Sequence, residues 1–155
     1  MNKSNIEQLL RKLRENKSSG ASELIEDVLG IIAVQLDLLE DRNMDITEEI
    51  YILFKKIIDS RSTMAPLINC IGYLLQDVSI ITKSNLENRI KQFKANEIKK
   101  KKVLENNFRK FLKEKEEKLR KIMLISYSST VLNVLEKNKD FDLEIFVLES
   151  RPLLE

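Results

Sequence analysis

The sequence predicts a mainly α protein: an N-terminal helical bundle, a long connecting helix, and then the first βαβ unit of an α/β domain. Three observations carry this reading. Only three glycines and two prolines occur in 155 residues, too few for the turns of an all-β chain. Apolar residues recur at helical spacing over most of the length. That period gives way to two short apolar runs near the C-terminus.

Residues 1–82 read as four amphipathic helices, the bundle. Ser4-x-x-Glu7 has the form of a capping box and opens a helix carrying Ile6, Leu9, Leu10 and Leu13 on one face. KSSG, from Lys17 to Gly20, breaks that helix and offers Ser19 as the next N-cap. The second helix carries Leu24, Ile25, Val28, Leu29, Ile32, Leu36 and Leu39. Asp45-x-x-Glu48 should cap the third, whose stripe is Ile50, Leu53, Phe54, Ile57 and Ile58. The fourth holds Met64, Leu67, Ile68, Ile71, Leu74, Leu75 and Val78, with Pro66 in its first turn, where a missing N–H costs little. The expected core includes Leu29, Ile32, Phe54, Ile57, Ile68 and Leu75.

Residues 83–119 form the connecting helix. Ser84-x-x-Glu87 is a further candidate capping box, and no glycine or proline follows before Pro152. Leu86, Ile90, Phe93, Leu104, Phe108 and Phe111 keep a stripe that lapses around Lys99 to Lys102. Charge is distributed unevenly: residues 83–121 hold 15 Lys/Arg against 6 Asp/Glu, whereas residues 1–82 hold 9 against 13. A lysine run can bind nucleic acid, but no aromatic or glycine pattern of an RNA-binding module accompanies it. The expectation is a solvated face and no nucleic-acid partner.

Residues 120–155 change period. Ile122 to Tyr127 suits a buried strand, Ser128 to Lys137 a helix, and Leu143 to Leu148 a second strand. Strand, helix, strand over about 30 residues predicts a parallel pair. One crossover helix cannot cover both faces of a parallel sheet, so the unit reads as the incomplete opening of a larger domain.

Composition excludes several chemistries. Without histidine there is no His-based triad, imidazole acid–base catalyst or His-rich zinc site. Cys70 is the only cysteine, so no internal disulfide and no thiolate cluster can form, which suits a cytoplasmic protein. No cofactor, metal or membrane contact is expected.

IMLISYSSTVLNVLEKNKDFDLEIFVLESRPLLE resembles the start of the C-terminal domain in the translation initiation factor 2B alpha/beta/delta subunit family, which also contains ribose-1,5-bisphosphate and methylthioribose-1-phosphate isomerases. The likeness rests on the strand ending in Ser126-Tyr127-Ser128, the VLNVL helix, and Glu149-Ser150-Arg151-Pro152. Upstream, SSGASELIEDVL resembles the segment around a Gly-Ala pair, and SRSTMAPLIN an Arg-containing motif.

The resemblance implies a Rossmann-like final domain and a sugar-phosphate or nucleotide pocket between it and the helical domain. Candidate phosphate ligands are Gly20, Ala21, Arg61, Ser126, Tyr127, Ser128, Ser129 and Arg151. Strand-to-helix amides at Ser126 to Ser129 suit an anion, and an Arg offers a two-pronged donor. The isomerases resembled here use a cysteine where this chain has Ser126, and an Arg where it has Ser19. Their aspartate position would lie beyond Glu155. The expected function is therefore a non-catalytic regulatory or interaction subunit, partnered by a translation initiation factor or a homologous subunit. The alternative is the N-terminal part of a sugar-phosphate aldose-ketose isomerase.

Overall fold

A computed structural model describes residues 3–16, 19–115, 121–125 and 128–148. The order is α1 (Lys3–Glu15), α2 (Ala21–Asp37), α3 (Thr47–Ser60), α4 (Ala65–Leu75), α5 (Lys83–Lys115), β1 (Lys121–Leu124), α6 (Ser129–Glu136) and β2 (Glu144–Val147). The mainly α class, with a small parallel α/β unit, is what the sequence predicts. The chain divides into two compact units, Met1–Asn96 and Glu97–Glu155, so the division falls inside α5.

In the first unit α1 packs on α2 and α3, and α4 packs on the same two helices. Their apolar stripes meet in one core, where Val28, Ile32, Ile50, Phe54, Ile57 and Leu74 are at most 1% exposed. Burial of such stripes, more than propensity, is what holds helices of this length. Two core members come from connecting segments: Ile46 precedes α3 and Ile81 precedes α5, joined by an Ile46 N–H to Ile81 carbonyl bond of 2.8 Å. Phe93 of α5 closes the core against Tyr73, their ring centroids 5.4 Å apart.

Ile68 departs from the expected core, being 41% exposed. The buried face of α4 runs instead through Leu67, Cys70, Ile71 and Leu74, an i, i+3, i+4, i+7 set that places Ile68 beside the contact. Leu75 is half-buried at the edge of the core.

The helix starts are also corrected. Ser19 does not cap α2: its backbone N–H and its hydroxyl both engage the Asn16 side chain, and Gly20 is the cap residue, without a side-chain bond. At α3, Asp45 accepts from the Thr47 N–H at 2.9 Å and hydroxyl at 2.6 Å, not through a box with Glu48. These two bonds, the hydroxyl first, hold the Asp45 carboxyl below its ordinary range. The box at α5 is Thr82/Asn85 and not Ser84/Glu87. The Thr82 hydroxyl accepts from Asn85 N–H at 3.2 Å, while Asn85 Oδ1 accepts from Thr82 N–H at 2.9 Å. Glu87 instead pairs with Arg42. At α1 the helix already includes Lys3, one residue before the predicted cap. Thr82→Ala should therefore cost about 1 kcal/mol and Ser84→Ala no more than about 0.5. Urea midpoints of the two variants check the assignment.

In the second unit β1 and β2 pair in parallel, Lys121 with Glu144 through Leu124 with Val147. Ser128 caps α6, its hydroxyl accepting from Val131 N–H at 3.4 Å. The α6 residues Val134 and Leu135 are buried, whereas Met123, Ile125, Ile145, Phe146, Val147 and Leu148 are exposed. One crossover helix leaves such a sheet largely uncovered.

Arg109 of α5 organises this unit. Its guanidinium holds Asp140 with two bonds, reaches Asn138 Oδ1 at 3.2 Å, and lies 5.3 Å from the Phe141 ring centroid. Asn138 is the buried polar side chain of the pair, its amide donating to the Val134 carbonyl at 2.8 Å. Hydrogen bonding to Arg109 pulls the Asp140 carboxyl below its usual range.

Candidate functional site

The predicted ligands fall on both units, and each group stands by itself. Gly20, Ala21 and Arg61 belong to the first. Gly20 is in extended backbone (φ −71°, ψ 167°) ahead of α2, and Ala21 is that helix's first residue. Both are half-buried. Gly20 supplies no side-chain cap, and among the described residues the leading end of α2 is a positive helix terminus of the kind that suits an acceptor.

Arg61 follows α3. Its Nε donates to the Leu13 carbonyl at 3.0 Å, one of the last carbonyls of α1, which a helix end leaves without an internal partner. Among the described residues, Nη2 of the same guanidinium is buried and has no hydrogen-bond partner. A guanidinium nitrogen removed from water and left unpaired is costly, and such groups in native proteins are few. Part of Arg61 is thus fixed by the fold and part remains a donor without an acceptor. No hydrogen bond joins Arg61 to Gly20 or Ala21 among the described residues.

In the second unit Ser128 and Ser129 sit half-buried at the α6 start, Ser128 serving as the cap. Ser126, Tyr127 and Arg151 lie outside the described residues. A cleft of about 410 Å³ in the first unit is lined by Glu7, Leu10, Arg11, Arg14, Lys56 and Asp59. Another of about 240 Å³ in the second is lined by Lys101, Leu104, Glu105, Thr130, Asn133, Val134 and Lys137. Neither is lined by a predicted ligand. The described residues contain no cluster of His, Cys, Asp and Glu able to hold a metal ion, and no helix long and apolar enough to cross a membrane.

A family model described as the Initiation factor 2 subunit family matches residues 5–155. The match spans nearly the whole sequence, and the chain belongs to that family. No curated protein and no solved structure matches it.

The unpaired Arg61 nitrogen has no signature in sequence, since it depends on where Leu13 ends up. The Arg109–Asn138–Asp140 grouping was equally out of reach of the sequence reading, because 29 and 31 residues separate the partners.

Proposed function

We propose that this chain is a non-catalytic regulatory or interaction subunit of the initiation factor 2B type, which binds a phosphorylated small molecule and works with a translation initiation factor or a homologous subunit. The observation that supports ligand binding best is the Arg61 guanidinium, anchored through Nε and unsatisfied at its buried Nη2. A phosphate oxygen is the acceptor that such a donor suits, by charge and by planar geometry. Gly20, Ala21, Ser126, Tyr127, Ser128, Ser129 and Arg151 are the further ligands that the family resemblance offers.

The non-catalytic part of the reading rests on chemistry. A serine at position 126 cannot exchange a proton near neutral pH as a thiol can, and the sequence supplies no histidine to activate it. The other reading is a sugar-phosphate isomerase domain, which comparing turnover of Ser126 and Ser126→Cys forms of a chimera with an active isomerase would separate from the first. For binding, Arg61→Met should weaken a sugar bisphosphate such as ribose-1,5-bisphosphate by about 10- to 150-fold, the range for a charged hydrogen bond. Isothermal titration measures the affinity, and thermal unfolding measures the separate loss of the bond to Leu13. Unchanged affinity in a folded variant removes Arg61 from the site.

A further inference from the structure

The four consecutive lysines of α5 point in four directions, because each residue turns the helix by about 100°. Lys100 pairs with Glu97, and Lys101 lines the cleft beside α6. Lys99 and Lys102 instead join residues further along. Lys99, Lys102, Asn106, Lys110 and Lys113 are spaced i, i+3, i+7, i+11 and i+14, and fall within an arc of about 80°. All five are exposed, and all belong to the second unit. The row extends about 21 Å along the helix at 1.5 Å per residue.

Among the described residues the acids lie off this arc: Glu97 and Glu105 project elsewhere on the helix, and Glu114, four residues after Lys110, flanks it. Glu97 and Glu105 are paired with Lys100 and Lys137. Asp140 is a further acid close to the row, near enough for Lys113 to help lower its pKa, and Arg109 already holds it with two bonds. Lys99, Lys102 and Lys110 have no ion-pair partner among the described residues. Of the nearby apolar residues, Leu104, Phe108, Phe111 and Leu112 lie on other faces, while Val103 borders the row on one side and exposed Ile98 flanks it on the other.

We propose that this row is a binding track for the phosphate backbone of a nucleic-acid duplex. A straight line of lysines with an amide among them provides the donors that phosphate contacts use. Over 21 Å of its own axis a duplex presents about 12 phosphate charges on its two strands, enough to put a phosphate within reach of each of the four lysines. A protein partner would need an apolar or aromatic centre to its interface, and the arc has none. With no aromatic side chain on the row, bases are not stacked, and binding is independent of sequence.

The test uses the full chain and a fluorescently labelled 20-bp DNA duplex, with anisotropy read between 50 and 200 mM salt. Lys99→Gln/Lys102→Gln/Lys110→Gln is compared with Lys12→Gln/Lys55→Gln/Lys139→Gln, a triple of equal net charge with all three lysines exposed and off the row. The slope of log affinity against log salt should fall by about 0.9 for each lysine lost from the row. Raising salt fourfold should therefore weaken the wild type about 40-fold more than the row variant, with the control triple tracking the wild type. Equal loss in both triples would show that net charge alone binds the duplex and would overturn the track. So would a wild-type chain that ignores the duplex at 50 mM salt, including one that instead binds poly-glutamate, which would reassign the row to an acidic protein.

Discussion

Replacing Phe54 by Ala should destabilise the first unit by about 3–5 kcal/mol, the range for removing a fully buried aromatic ring from a core that only partly collapses. Phe54 is 1% exposed and lies in the one continuous cluster to which all of α1 to α4 and the start of α5 contribute. The loss is large because it has two parts: the transfer energy of the ring and the cavity its neighbours leave unfilled. A domain of ordinary stability, about 5–15 kcal/mol, would lose a substantial fraction. Denaturant titration checks it. A change under about 0.5 kcal/mol, typical of surface positions, would mean the ring is not in the core.

Ser126→Cys should raise isomerase turnover by about 10²–10⁴-fold in a chimera that follows Glu155 with the later part of the Rossmann-like domain of an active isomerase. The argument concerns proton exchange alone. A free thiol ionises near pH 8.5 and can give up and take back a proton at neutral pH, whereas an unassisted serine hydroxyl cannot. Sugar-phosphate affinity should change little, because the proposed hold on the phosphate belongs to Arg61 and to backbone amides. Steady-state kinetics on ribose-1,5-bisphosphate and on methylthioribose-1-phosphate separates the two effects, with kcat moving and KM nearly constant. Equal turnover in the Ser126 chimera and its Ser126→Cys counterpart would remove the distinction on which the regulatory reading rests and would favour the isomerase reading.

The bundle was legible in the sequence because burial leaves a 3.6-residue trace. Val28, Ile32, Phe54 and Ile57 were readable from spacing alone and are buried. The trace fails where a stripe is wider than the contact it feeds. Met64, Leu67, Ile68 and Ile71 are all apolar, and only packing against α2 and α3 decides that Cys70 goes in and Ile68 stays out. Ile46 and Ile81 were missed for another reason: each keeps the helical spacing of a neighbouring stripe, Ile46 with Ile50 and Leu53 and Ile81 with Leu74 and Val78, yet each lies in a connecting segment outside the helices. Capping was harder still. Ser4, Ser84 and Thr82 all precede a polar residue at the third position, and which one closes a box depends on where the preceding loop delivers the chain. The loops before α3 and α5 are tied together by an antiparallel bridge between Asp45 and Thr82, which sets the α5 start at Thr82.

The candidate site was legible only through resemblance. The motifs around Gly20, Ala21 and Arg61 implied a phosphate only through the family they resemble, and the bond from Arg61 to Leu13 spans 48 residues, which the sequence cannot show. The basic run illustrates a different failure. Lys99 to Lys102 stand out as neighbours in sequence, whereas neighbours on a helix are three and four apart. The row through Asn106, Lys110 and Lys113 follows from a count that any lysine-rich helix invites.

Cys70 gives the molecule a reporter of its own. It is the sole thiol, 1% exposed, on the α4 face that packs into the core of the first unit. A bulky disulfide reagent can reach it only when that core opens, and no other sulfur nucleophile competes. The rate of thiol trapping in native buffer therefore reads the free energy of opening at one place, without denaturant or an added label, whenever reclosing is faster than the chemistry. Because the thiol belongs to the first unit, fraying of β1 and β2 should leave that rate unchanged.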